Sequence, residues 1–251
     1  PNGAAIGPDG RVYVCNNGGF DDATDPAGYF AALGMPREYT GGSIQSVDLE
    51  TGEVRTVYTE CDGRPLSGPN DMVFDAAGGF WFTDLGKSWP RHHDHGGLYY
   101  AHIDGTHITE VVYPLITPNG VALSPDGSNV YVSETSTGRL YRWAVTAPGV
   151  LDRSTGRAAR GQLVFSLGDT RRFDSMAVDS AGHVCVATIG GGGGISDISP
   201  DGTCVLVPTD DPLTTNVCFG GPDMQTAFIT CSRTGTLRAT RWPRPGLQLR
   251  Y

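Results

Sequence analysis

In a chain of 251 residues, 36 Gly and 17 Pro make up about a fifth of the length, against roughly 12% in an average protein, which excludes a helix bundle or coiled coil. Hydrophobic residues at 39%, charged residues at 18% and a mean hydropathy of -0.21 describe a chain able to bury a large core, which excludes disorder. A net charge of -9 with no basic run beyond Arg171-Arg172 speaks against nucleic acid and anionic membrane as partners, and the apolar runs are too short for a transmembrane helix.

Along the chain one pattern recurs five times: PNGAAIGPDGRVYVCN (1–16), GPNDMVFDAAGGFWFTD (68–84), TPNGVALSPDGSNVYVSE (117–134), FDSMAVDSAGHVCVAT (173–188) and TNVCFGGPDMQTAFIT (215–230). Each copy has a polar Asn or Asp, an alternating apolar strand, a tight turn and a second apolar strand, the signature of a β-hairpin. After the first copy comes a polar excursion from Gly18 to Tyr39, with Phe20, Tyr29, Phe30 and Met35 among acids; its length predicts a substrate-selecting cap, with a disordered surface insertion as the alternative. Further strand pairs follow, Gly42–Val47 with Glu53–Tyr58, then Gly97–Tyr100 with Ile108–Tyr113. Four strands per repeat predict an all-β fold, a single β-propeller domain of four-stranded antiparallel blades over residues 1–251. The last repeat offers only three strands, Asn216–Gly220, Thr226–Cys231 and Thr236–Trp242. Because a ring must close its edges, a strand set upstream of Pro1 and a six-bladed molecule are expected, and the prolines of TRWPRPGLQLRY predict a natural chain end.

The six cysteines (Cys15, Cys61, Cys185, Cys204, Cys218, Cys231) form no CxxC pair and several lie in apolar strands. Buried free thiols and a cytoplasmic location follow, although a chain opening at Pro1 leaves a removed leader open.

In a propeller the innermost strands line the axis. The recurring polar residues Asn2, Asn70, Asn119, Asp174 and Asn216 are therefore expected to converge, where amide and carboxylate oxygens suit a hard cation such as Ca²⁺ or Mg²⁺. The motifs GPND with FWFTD, TPNGVALSPDG with VYVSET, FDSMAVD and CFGGPD resemble the senescence marker protein (regucalcin), gluconolactonase and luciferin-regenerating enzyme family of six-bladed propellers. The resemblance spans essentially the whole chain and implies a divalent metal on the axis and, in many members, hydrolysis of lactones. It further implies that Asn119 and Asp174 are metal ligands and that Asn70 is a ligand or contacts substrate. The family's Glu ligand, in an EGP motif, has no counterpart here and is expected upstream of Pro1. Gly68 stands where the sugar-lactonase branch has an Arg, which detaches the metal site from any particular sugar lactone.

A metal-dependent hydrolase of a lactone or related cyclic ester is thus the leading reading, with Ca²⁺ first and Mg²⁺, Mn²⁺ or Zn²⁺ also admissible, and a small-molecule lactone or ester as substrate. Asp174, the ionisable member of the register, is the candidate proton carrier, with a purely ligating role as the alternative. Asn70, Asn17 and Asn216 are candidate substrate contacts. Asn16, Asp84 and Glu134 also follow second strands, where turn or inter-blade hydrogen bonds are the commoner role. The tract Arg91-His92-His93-Asp94-His95 reads as a solvent-facing loop rather than a metal site, and Gly190–Gly194 as a blade turn. The competing functional classes are a non-catalytic propeller with a structural axial ion that binds a small molecule or protein, and a propeller of other chemistry.

Overall fold

A computed structural model describes residues 1–26, 29–89, 91–154 and 161–249, with the side chains of residues 22 and 30–33 left aside. The turns show why the chain folds as repeated hairpins. In Asp9-Gly10 and Asp126-Gly127 the glycine takes a left-handed φ (78° and 71°), and the aspartate accepts the backbone N–H two residues on. Apolar residues alternating on either side of such turns then pair as antiparallel strands.

Five radially arranged sheets result. Blade I comprises Ala4–Ile6, Val12–Asn16, Ser43–Val47 and Val54–Tyr58, and blade II comprises Pro69–Phe74, Gly79–Asp84, Gly96–His102 and Ile108–Leu115. Blade III is built from Pro118–Leu123, Asn129–Glu134, Arg139–Ala147 and Gln162–Ser166, with Val150–Leu151 pairing antiparallel to the far end of its third strand. Blade IV holds Arg172–Val178, Val184–Ile189, Gly194–Ile198 and Cys204–Pro208. Blade V has three strands, Thr214–Gly220, Thr226–Cys231 and Thr236–Arg241, and its outer strand is exposed along its whole length.

This is the all-β propeller that the repeats predict, with five blades in these residues. The excursion between the second and third strands of blade I is more ordered than a plain loop: Asp21–Thr24 pairs with Phe30–Gly34 as a hairpin of its own. Residues 27 and 28 and the Phe30 side chain, part of the expected cap, lie outside what is described.

The core is divided among the blade interfaces. Four apolar clusters fill the four successive contacts: Tyr13, Phe74, Phe80 and Phe82 between blades I and II; Trp81, Val121, Val132 and Trp143 between II and III; Tyr131, Leu140, Phe173 and Met176 between III and IV; Cys185, Ile195, Ile229 and Trp242 between IV and V. All six cysteines are free; four are buried, whereas Cys204 is half-buried and Cys218 exposed, so the expectation of buried thiols holds for four. Among the described residues no helix is long and apolar enough to cross a membrane.

Candidate metal and active site

The innermost strands of blades II to V each carry a β-bulge near their start, with two residues facing one on the partner strand. The bulged pairs are Asn70-Asp71, Asn119-Gly120, Asp174-Ser175 and Thr215-Asn216. A bulge re-aims side chains, and here it sets Asn70, Asn119 and Asp174 at one register. Asn216 sits one residue later than the repeat alignment suggests: it pairs with Thr230 and occupies the position of Asp71, while Thr215 takes that of Asn70. Asn2 is exposed.

Hydroxyl staples lock these bulges between blades. The Asp71 N–H donates to Thr83 Oγ1 (3.3 Å), and Thr83 donates onward to the Asn119 carbonyl; the Gly120 N–H donates to Ser133 Oγ (2.9 Å), and Ser133 donates to the Asp174 carbonyl (2.7 Å). Gly120 is needed for the approach, because a Cβ there would stand 2.9 Å from Asp174 O, Ser175 Cα and Met176 N.

Asn70 is buried at 3% exposure and its Oδ1 has no hydrogen-bond partner. The two other buried side-chain atoms without partners, among the described residues, are indole N–H donors, so Asn70 Oδ1 is the one orphaned acceptor. A buried acceptor left unpaired is costly unless something else satisfies it. Asn119 Nδ2 donates to Thr135 Oγ1 (3.0 Å) and its Oδ1 accepts a long bond from Ser175 (3.3 Å). Asp174 accepts the Ser175 N–H at 3.0 Å. Burial pushes its carboxyl up to about 7; hydrogen bonds from Asn119 and Ser175 pull it down, and the charge of Asp71 pushes it up again. Asp71, which repeat matching passed over, is raised by burial to about 6 against donors from Met72, Ser175, Val121 and Met176. Asp71 and Asp174, with the orphaned Asn70 Oδ1 and Asn119 carried on the same bulges, offer oxygen donors whose chemistry fits a hard divalent cation.

Beneath this register a cavity of about 1120 Å³ runs down the axis between the inner strands of all five blades, from Asp71 and Asn216 to Leu247–Leu249. Asn70, Asn119 and Asp174 lie just outside its lining.

The rim residues behave as braces. Asp84 accepts the N–H groups of Ser67 (2.7 Å), Gly68 (2.7 Å) and Gly86 (2.9 Å), and Glu134 accepts from Ile116 N and Thr137 Oγ1. Asn16 caps Gly18 and bonds Gln45; Asn17, buried, caps Gly19 at the root of the excursion. In the histidine tract His92 stacks on Trp89 at 4.5 Å and His93 Nδ1 meets Ser88 Oγ at 2.7 Å, both local uses in a two-residue ladder. Asp179, Cys185 and Asp197 also converge, but at the other end of the blade IV inner strand, and the Arg244 guanidinium already occupies both carboxylates.

Fold and site together define a β-propeller carrying an axial cluster of hard oxygen donors. The chain belongs to the SMP-30/Gluconolactonase/LRE-like family, whose description matches residues 1–233. It is 26% identical over 242 residues to a gluconolactonase of Zymomonas mobilis, covering 92% of this chain and 60% of that protein. It is 32% identical over 192 residues to lactonase drp35 of Staphylococcus aureus, covering 76% of this chain and 51% of that protein. The chain thus spans somewhat over half the length of these curated relatives. A calcium-binding protein, regucalcin, from Agrobacterium tumefaciens shares the fold with a TM-score of 0.68 at 18% identity, over 99% of this chain and 93% of that one.

Proposed function

We propose that this chain is the greater part of a metal-dependent hydrolase of a lactone or related cyclic ester. The observation that carries the reading is the buried, unpartnered Asn70 Oδ1 set at one register with Asn119 and Asp174. Asn70, Asn119 and Asp174 would hold the cation, with Ca²⁺ proposed first because every donor is a hard oxygen. When bound, the cation polarises the lactone carbonyl and lowers the pKa of water. Asp174 accepts the proton of the attacking water at a carboxylate oxygen and returns it to the departing ring oxygen, yielding the hydroxy acid. Asn119 orients that carboxylate through its amide, and Ser133 fixes the backbone that carries it. Asn17 and Asn216 are proposed as substrate contacts at the rim and at the head of the axial cavity.

The substrate is not tied to gluconolactone. Gly68 has no side chain for sugar recognition, and a Cβ there would stand 2.8 Å from Gly86 O. The relatives named gluconolactonase and lactonase support the chemistry rather than the identity of the ring. We further propose a single domain, completed in the whole protein to six blades by strands pairing with the bare Thr236–Arg241 edge, in a cytoplasmic setting suited to free thiols.

The test is hydrolysis of a panel of aldono- and aliphatic lactones by the full-length protein, with and without EDTA, beside Asp174→Asn. Turnover that EDTA and the substitution both abolish is expected. Metal-loaded, folded protein that hydrolyses no lactone would overturn the reading in favour of a binding propeller.

A further inference from the structure

Two cations outside the axial cluster hold the hairpin inserted between the second and third strands of blade I. Lys87 comes just after the second strand of blade II and is 3% exposed. Its Nζ donates to the Gly19 carbonyl at 2.9 Å and stands 4.7 Å from the Phe20 ring centroid and 5.0 Å from that of Tyr39, whose hydroxyl donates to Ser67 O at 2.6 Å. A cation enclosed by a carbonyl and two π faces fixes the root of the hairpin. Arg233 lies in the turn between the second and third strands of blade V. Its guanidinium pairs with the Asp25 carboxylate and stands 4.8 Å over the Tyr29 ring. Asp25 and Tyr29 stand at the tip end of the two strands and bond each other: the Asp25 N–H donates to Tyr29 O (2.8 Å) and the Tyr29 N–H to Asp25 Oδ1 (3.0 Å).

The attachments share one face of the ring. The hairpin leaves blade I at Asn16, beside the start of its inner strand, where the Asn2 N–H reaches Cys15 O. Lys87 and Arg233 likewise follow second strands, whose ends pair with the inner-strand starts that carry Asn70 and Asn216. The hairpin is therefore rooted against blade II and latched at its tip to blade V, on the face that bears Asn70, Asn119 and Asp174.

We propose that Lys87 and Arg233 are specificity-determining residues: they hold the paired strands Asp21–Thr24 and Phe30–Gly34 as a strap over the site's face, so that small lactones pass beneath it and bulky ones require its Asp25 and Tyr29 end to lift. This rests on the lactonase reading above. The two ends differ in strength. Lys87 is enclosed, whereas Arg233 and Asp25 keep 32% and 24% of their side-chain surface exposed, so the tip is the end that releases.

Amide hydrogen exchange and lactone kinetics on the full-length protein test this, comparing wild type with Arg233→Leu, Asp25→Asn and Lys87→Met. The tip variants are expected to speed exchange of hairpin amides by about tenfold or more while the inner-strand amides keep their protection. The kcat/KM ratio of a bulky to a small aliphatic lactone should rise severalfold, through KM. Unchanged hairpin exchange in both tip variants would overturn the proposal, as would faster exchange with an unchanged size ratio. Should the wild type hydrolyse no lactone, the activity reading falls and exchange alone decides the latch. Arg233 and Asp25 lie at the surface, so these variants judge the tip even if Lys87→Met fails to fold.

Discussion

Asn119, one of the proposed ligands, shows how much of the site is made by the residues around it. Its carbonyl is held by Thr83 from blade II, its amide by Thr135 of its own blade, and its neighbour Gly120 lets blade IV come within van der Waals contact. A methyl group at 120 has nowhere to go, because all three of its nearest atoms are backbone of blade IV. Gly120→Ala is therefore expected to cost about 1–3 kcal/mol of stability and to weaken metal binding, measured by urea unfolding and by calorimetric titration with Ca²⁺. Ser133→Ala removes both ends of a staple and leaves the Gly120 N–H and the Asp174 carbonyl unpaired. A loss of about 1–3 kcal/mol is expected, with reduced metal affinity at unchanged secondary structure. Retention of wild-type metal affinity in both variants would show that the bulges hold their aim without the staples.

At the scale of elements, turns and bulges do the positioning. The segment between blades IV and V turns on Asp211, fully buried, whose carboxylate accepts the N–H groups of Leu213, Arg233 and Thr234 and the Thr234 hydroxyl. Burial pushes its pKa up, but the hydrogen bonds from Thr234, Leu213 and Arg233 outweigh it and leave the group below the ordinary carboxylate value. A depressed folded pKa means a stabilising contribution that is present above the unfolded value, about 3.9, and lost as pH falls through the folded one. Asp211→Asn should cost about 2–3 kcal/mol at pH 7, with the gap to wild type closing below about pH 4 in urea melts. A gap that persists unchanged at acid pH would show that shape rather than charge holds this turn. The hairpins and most strand ends were legible in the sequence, because turn residues and period-2 alternation are local signals. The bulges were not: an extra residue leaves the pattern of a strand intact, so Asn216 was aligned one place early and Asp71 was passed over beside Asn70. The hairpin in the Gly18–Tyr39 excursion was equally hidden, since its strands DDAT and FAALG lack the alternation of a strand with a buried face.

For the whole molecule, stability is divided among interfaces, and the chain's last segment ties two blades that its apolar cluster already joins. After the Thr236–Arg241 strand the chain turns back to blade IV: the Leu247 N–H donates to Val178 O, and the Ser180 N–H to Pro245 O. Arg244 sits at the centre of this return, its guanidinium on Asp179, which has no exposed side-chain surface, and on both oxygens of Asp197, which also meets His183. The fully buried Asp179 and the part-buried Asp197 thus share one guanidinium. Arg244→Met keeps most of the volume and removes the charge, leaving the buried Asp179 carboxylate to the N–H groups of Ala181 and His183 without its counter-ion, and a loss of about 3–5 kcal/mol is expected. Adding Asp179→Asn should recover part of the loss, a coupling that urea unfolding of the four proteins in the cycle would measure. Simple additivity would mean that the tail is held by its backbone bonds and packing, with the ion pair incidental.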